Sequence, residues 1–263
     1  MLRTRLITAL VVLPIVAGIV FAGGYWFLGG VGLFALTAGW EFGGMMKQGG
    51  YHPSLFFTLA LIVLLLADGY WPGLRLLSVI LSLSLLLTLS WQLFQTNTTT
   101  PTVDWALTLA GGLYIGWCLA HLVALRQLAD GLAWVWLALL TTWGADTFAY
   151  LVGRSFGRHK LWPRHSPKKT WEGLLGGIGG SLIGAAIVAQ FSDFTWQTAL
   201  AVGLLVPLVG LFGDLSISMI KRQVGVKDSS NLIPGHGGAL DRIDSLLFVS
   251  VVVYYYAIWG AVI

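Results

Sequence analysis

The chain has 263 residues, 57% of them hydrophobic and 10% charged, with mean hydropathy +0.81; an average soluble domain is about 25% charged. Its 15 basic and 11 acidic residues are too few to cover a water-exposed surface, and thirteen Trp with thirteen Phe are too many for one soluble core. A soluble enzyme is excluded, and the bilayer is the solvent.

Nine apolar segments follow in chain order: 6–21, 25–46, 55–67, 74–91, 105–125, 132–152, 173–191, 196–220 and 245–263. At about 20 residues per span, they predict an all-α polytopic membrane protein with about nine transmembrane helices. An outer-membrane barrel would show strands of only about ten residues with alternating pattern. Arg3 and Arg5 ahead of the first segment could belong to a signal peptide, but nothing after Phe21 looks like a strong small-x-small cleavage site followed by a polar mature start. The neutral polar stretch 92–102 reads as a solvated turn, and Cys118, the one cysteine, lies in an apolar run. Neither a disulfide framework nor a thiolate metal site is available.

Orientation follows from the basic residues. With the N-terminus in the cytoplasm, the inner side holds Arg3, Arg5, Lys47, Arg154, Arg158, Lys160, Arg164, Lys168, Lys169, Lys221, Arg222, Lys227 and Arg242. The outer side holds Arg75 and Arg126, so the C-terminus falls outside. Residues 1–140 are expected to form a scaffold of apolar helices that could carry dimer contacts. Residues 141–263 are expected to be the catalytic helices, with cytoplasmic loops at 153–172 and 221–244.

Carboxylates within a span are costly and face a cavity or a partner. Asp146 and Asp214 each lie six residues before the cytoplasmic end of their segments, about 9 Å inside the boundary at 1.5 Å per residue. Asp241 and Asp244 open the last span on the same side. Acids at matching depth on different helices suit a shared cation site; isolated pairing with a nearby Arg is the alternative for each. Asp214, Ser218, Lys221 and Arg222 fall on one helical stripe. That order suggests a metal site continuing into an anion site, and an all-oxygen donor set favours a hard ion such as magnesium. Helix-to-helix salt bridging is the alternative for Lys221 and Arg222.

In the first loop, Ser166, Pro167, Lys168, Lys169 and Thr170 form a proline-stiffened turn ahead of a helix beginning near Glu172 and Gly173. Helix N-termini attract phosphate. In the second loop, Lys227 and Asp228 precede Pro234, Gly235, His236, Gly237 and Gly238. These glycines would let the backbone approach a ligand and form an anion nest. His236 is either a substrate contact or plain polar surface. Gly173, Gly177, Ser181 and Ala185, and Gly176, Gly180 and Gly184, recur at i+4 and read as close helix packing, within the chain or between subunits. His52, His121, Glu41, Asp68, Asp130 and Asp193 read as interfacial or loop residues.

Taken together, Ser218, Lys221, Arg222, Lys227, Asp228, Pro234, His236, Gly237, Gly238, Asp241, Arg242 and Asp244 resemble, in order and spacing, the signature of the phosphatidate cytidylyltransferase (CDP-diacylglycerol synthase) family. Gly213, Asp214 and Leu215 look like that family's entry into the same helix, and 166–173 like its basic loop. The resemblance covers about 141–245; upstream only the multi-span hydropathy is similar. Ala239 stands where the family more often has a larger aliphatic residue.

The resemblance implies that CTP and phosphatidic acid give CDP-diacylglycerol and pyrophosphate with a divalent metal, in a homodimer; the oxygen donors favour magnesium as that metal, and the mechanism expected here adds a second cation. The enzyme would sit in the cell's inner membrane with its active site on the cytoplasmic side, take membrane lipid as substrate and bind no nucleic acid. Asp214 and Asp241 would hold metal, with Asp146 and Asp244 auxiliary. Lys221 and Arg222 would meet phosphate, Lys168 and Lys169 the triphosphate. Ser166, Thr170, Ser218, Lys227, His236, Gly237, Gly238, Arg242 and Asp244 would line the substrates. The rivals are a CTP-dependent lipid or polyprenol kinase, which releases CDP, and a cation-coupled transporter. The transporter reading predicts acids near the bilayer midplane on broken helices, whereas these gather at the cytoplasmic end.

Overall fold

A computed structural model of the chain describes residues 2–232 and 237–260. Each of the nine apolar segments becomes helical: α1 (Leu2–Ala22), α2 (Gly24–Gln48), α3 (Leu55–Tyr70), α4 (Leu77–Gln92), α5 (Pro101–Gly112) continuing through a π turn into α6 (Cys118–Gln127), α7 (Gly131–Phe156), α8 (Trp171–Gln190), α9 (Trp196–Gln223) and α10 (Leu240–Trp259). Among the described residues, five helical stretches are long and apolar enough to cross a membrane: 101–127, α7, α8, α9 and α10. Shorter apolar helices run over Leu10–Ala22, α3 and α4. Leu83, Leu86 and Leu87 of α4 are 49%, 61% and 52% exposed. A water-soluble chain rarely leaves such a contiguous apolar face open. The protein is an all-α, multi-pass membrane protein.

Breaks between helices come where the sequence supplies glycine and proline. Gly23 and Gly24 turn the chain between α1 and α2 with φ of 64° and 49°, a region closed to most side chains. The Arg126 Nε–H donates to the Val20 carbonyl at 3.2 Å and secures that turn. Pro101 opens α5 at a position whose N–H has no helical partner.

The chain forms two compact units. One comprises Met1–Gln127 with Ile220–Ile243, the other Leu128–Met219 with Asp244–Ile263. In the first, Leu61, Leu65, Ile80 and Ala120 centre a core, and α3 is closely approached through glycines. A Cβ on Gly116 would come within 2.9 Å of Ile62 Cα, and one on Gly112 within 2.8 Å of the Leu61 side chain. Buried Asp104 ties loops together, accepting from the His52 amide at 2.7 Å and from the Thr98 hydroxyl.

In the second unit, α7 and α8 pack backbone to backbone. A Cβ on Gly144 would run into the Gly180 carbonyl, one on Gly180 into the Gly144 carbonyl, and one on Gly184 into the Leu140 carbonyl at 2.5 Å. The i+4 glycine stripe of α8 is therefore used inside the chain, against α7. Between these helices the basic loop is a β-hairpin, not only a turn: β1 (Lys160–Trp162) pairs antiparallel with β2 (Ser166–Thr170), Lys160 opposite Thr170 and Trp162 opposite Ser166.

Candidate active site

The hairpin is rooted at the start of α8. Thr170 caps that helix, its Oγ1 accepting from the Gly173 amide at 3.1 Å. Glu172 accepts from the His159 ring at 2.6 Å and from the Arg158 amide at 3.2 Å. Gly157 leaves room for Thr170, since a Cβ there would come within 2.8 Å of Thr170 Cγ2. These ties hold β2 so that Lys169 reaches Asp214 of α9, Nζ to carboxylate 2.7 Å. Ser218, one turn on, donates to the other Asp214 oxygen at 3.2 Å. Asp214 and Lys169 are partly open, with 32% and 21% of their side chains exposed. Gly213 lets α10 come close beside them, because a Cβ there would sit 2.5 Å from the Asp244 carbonyl oxygen. The side chain of Asp244 is half-buried and accepts from the Ser245 amide at 2.8 Å.

The other unit holds a second lysine–aspartate pair. Lys221 Nζ lies 2.6 Å from Asp241 Oδ1, with only 10% and 6% of the two side chains exposed. Asp241 Oδ2 accepts from the Ser229 amide at 2.8 Å, the Ser229 hydroxyl at 2.9 Å and the Gly238 amide at 3.1 Å. Gly237 takes φ of 79°, and a Cβ there would fall 2.8 Å from Asp241 Oδ2. Gly237 and Gly238 thus fold against the protein's own carboxylates. The amide expected to nest a ligand's anion already nests Asp241.

Glu41 on α2 completes this arrangement. Only 1% exposed, it accepts from the Ser230 hydroxyl at 2.6 Å, the Ser229 hydroxyl at 3.0 Å, and the Ala239 and Leu240 amides at 2.9 Å and 2.8 Å. The last two are free N–H groups at the start of α10, so Glu41 serves as that helix's cap from a distant element.

The predicted residues sort accordingly. Lys169, Thr170, Asp214 and Ser218 come together in one unit, and Lys221, Gly237, Gly238 and Asp241 in the other. Ser166 faces Trp162 in the hairpin, and Lys168 is exposed beside it. Arg222 is exposed and donates to the Val226 carbonyl at 2.9 Å. Lys227, Arg242 and Asp146 are exposed. Pro234 and His236 lie outside the described residues.

Two residues expected at interfaces or in loops are instead buried in unit cores: Glu41, and His121, whose Nδ1 meets the Trp117 carbonyl at 2.7 Å. Ser229 and Ser230, absent from the sequence reading, hold the same loop. Glu41 carried a usable signal, a carboxylate inside an apolar segment.

Comparison with known proteins places this arrangement. The cytidylyltransferase family matches residues 3–259. The chain belongs to that family. It is 38% identical to a phosphatidate cytidylyltransferase of Staphylococcus haemolyticus, over 94% of this chain and 96% of the relative. A Staphylococcus aureus protein of the same name is 35% identical over the same shares, and one from Bacillus subtilis is 42% identical over 65% of each chain. For this family member, the signature from Ser218 to Asp244 is part of a full-length likeness that includes the helices upstream of residue 141.

Proposed function

We propose that the chain transfers the cytidylyl group of CTP to phosphatidic acid, giving CDP-diacylglycerol and pyrophosphate at the cytoplasmic face of the cell membrane, with its N-terminus inside and its C-terminus outside. The observation that carries this reading is the near full-length likeness to proteins named phosphatidate cytidylyltransferase. The thirteen-to-two distribution of Lys and Arg supports the orientation. A phosphatidate oxygen attacks the α-phosphorus of CTP in line; the new P–O bond forms as the bond to the β-phosphate oxygen breaks, and pyrophosphate leaves with the electron pair. Phosphatidate is already anionic near neutral pH, so no dedicated base is assigned.

Asp214 and Asp241 are the carboxylates assigned to magnesium and a second cation, with Asp146 and Asp244 auxiliary. Magnesium is held through one or two carboxylates, with substrate phosphates and water completing its shell. Partly open Asp214, flanked by the Ser218 hydroxyl, fits that mode. Among the described residues no three His, Cys, Asp or Glu side chains gather as a protein-only cage, so the cation would be shared with the nucleotide. When bound, it would neutralise charge on the transferring phosphoryl group and the departing pyrophosphate. Asp241 fits less openly: its oxygens already hold Lys221, Ser229 and Gly238, and a cation there would replace the Lys221 ammonium. Lys168 and Lys169 are assigned to the triphosphate, Lys221 and Arg222 to phosphate, and a homodimer is the proposed assembly.

The test is purified protein with CTP and phosphatidate, with and without magnesium, both products being identified. CDP-diacylglycerol with pyrophosphate, only with the metal, is expected. CDP with a phosphorylated lipid would make the chain a kinase and sink the reading.

A further inference from the structure

We infer that Glu41 is a positioning residue for Asp241 and Lys221, although it belongs to the N-terminal helices and touches neither phosphate-handling loop in sequence. The inference rests on the proposed activity only for its kinetic readout. A lone carboxylate buried to 1% exposure is costly unless every lone pair is used. Here Oε1 accepts from the Ser230 hydroxyl and the Ala239 amide, and Oε2 from the Leu240 amide and from the Ser229 hydroxyl when its proton turns that way. These donors come from both ends of the loop that separates α9 from α10. Glu41 therefore clamps the loop's entry to its exit.

Two contacts carry this clamp to Asp241. The Ser229 hydroxyl stands between the carboxylates, 3.0 Å from Glu41 Oε2 and 2.9 Å from Asp241 Oδ2. Its single proton serves one or the other. Gly238 donates its amide to Asp241, and a Cβ there would lie 2.5 Å from both Glu41 oxygens. So the glycine is required because the Ser229 hydroxyl and both Glu41 oxygens occupy the place of a side chain. Holding Ser229, Gly238 and the first residues of α10 fixes the Asp241 carboxylate, and Asp241 in turn holds the Lys221 ammonium at 2.6 Å. The charge on Glu41 also sits at the positive end of α10 and favours that helix starting where it does.

The experiment compares Glu41→Gln with the wild-type protein in detergent, by peptide-level hydrogen exchange and by steady-state kinetics. The glutamine is isosteric, but its NH2 must face an amide N–H or a hydroxyl on one side, so at least one of the Ala239 and Leu240 amides loses its acceptor. Exchange around Ser229 and Gly238–Asp241 is expected to rise about tenfold or more while α3 and α5 keep wild-type protection. The kcat is expected to fall about ten- to a hundredfold with KM for CTP little changed, the signature of misplaced rather than missing groups. Asp104→Asn, which alters another buried carboxylate of the same unit, is expected to leave exchange at Ser229 and Gly238–Asp241 unchanged. The inference is overturned by unchanged loop exchange, by exchange rising evenly through α2–α6, or by wild-type kcat in Glu41→Gln. If wild-type protein makes no CDP-diacylglycerol, the proposed activity fails while the exchange result still decides the role of Glu41.

Discussion

Among the described residues are two lysine–aspartate pairs of nearly equal length and unlike surroundings. Lys221 and Asp241 are almost sealed from solvent, and Asp241 has backbone and hydroxyl donors besides the ammonium. Lys169 and Asp214 are partly open, and the lysine comes from a hairpin strand. A sealed, fully hydrogen-bonded pair is expensive to break because the survivor is left charged and buried. An open pair is worth little and exchanges readily. The first resists breaking, and the second can open without stranding a buried charge. Distance alone, 2.6 Å against 2.7 Å, would not have told them apart.

The largest expected effects come from neutralising the carboxylates. Asp214→Asn should cut magnesium-dependent turnover on the order of a thousandfold, the loss of several kcal/mol of charge stabilisation. Its thermal unfolding in detergent should stay close to wild type, because an open carboxylate leaves no buried charge behind. Asp241→Asn should lose turnover comparably and also unfold at lower temperature, since Lys221 then has no counter-charge. Near-normal turnover in both variants would remove the metal assignment. Equal unfolding temperatures would erase the distinction between the pairs.

The lysines sharpen the same contrast. Lys221→Met should destabilise by about 3–5 kcal/mol, the cost of stranding one member of a buried pair. Lys169→Met should cost about 0–1 kcal/mol while raising KM for CTP, because the cation proposed for the triphosphate is gone. Denaturant or thermal titration of both variants beside a CTP saturation curve checks this. A large stability loss in Lys169→Met would mean that the hairpin strap is structural.

How far the sequence could reach differs between these regions. Apolar run length placed the long helices among the described residues, because a span must be long, apolar and bounded by turn formers whatever its neighbours do; five of those stretches are long enough to cross a membrane. The motif and the stretch just before it singled out Asp214, Lys221 and Asp241 by local spacing; the structure pairs Lys221 with Asp241 and sets Asp214 beside Lys169. It did not show that Gly237 and Gly238 fold against Asp241, because spacing does not say which anion an amide meets, nor that the Ala239 and Leu240 amides meet a carboxylate almost two hundred residues away. Glu41 was misread for the same reason: alone in an apolar segment it looks interfacial, and only the folded chain supplies its donors. The hairpin at 160–170 was also hidden, because a five-residue strand rich in lysine and proline lacks the alternation that marks a strand.

The smallest effect tests what holds the open pair together. Lys169 reaches Asp214 from a strand rooted on α8, and α8 is placed by backbone contact with α7. Gly180→Ala pushes a methyl group into the Gly144 carbonyl and the Phe148 side chain, so the helices must part at a cost of about 1–3 kcal/mol. Gly179→Ala, one residue earlier, meets nothing within 4 Å and should be neutral or gain about 0.5–1 kcal/mol from lower backbone entropy. If the hairpin is carried by the helix pair, Gly180→Ala also raises KM for CTP a few-fold and Gly179→Ala does not. If both variants bind CTP like wild type while Gly180→Ala is destabilised, the ion pair holds its own geometry. The open pair would then be stronger than its exposure implies.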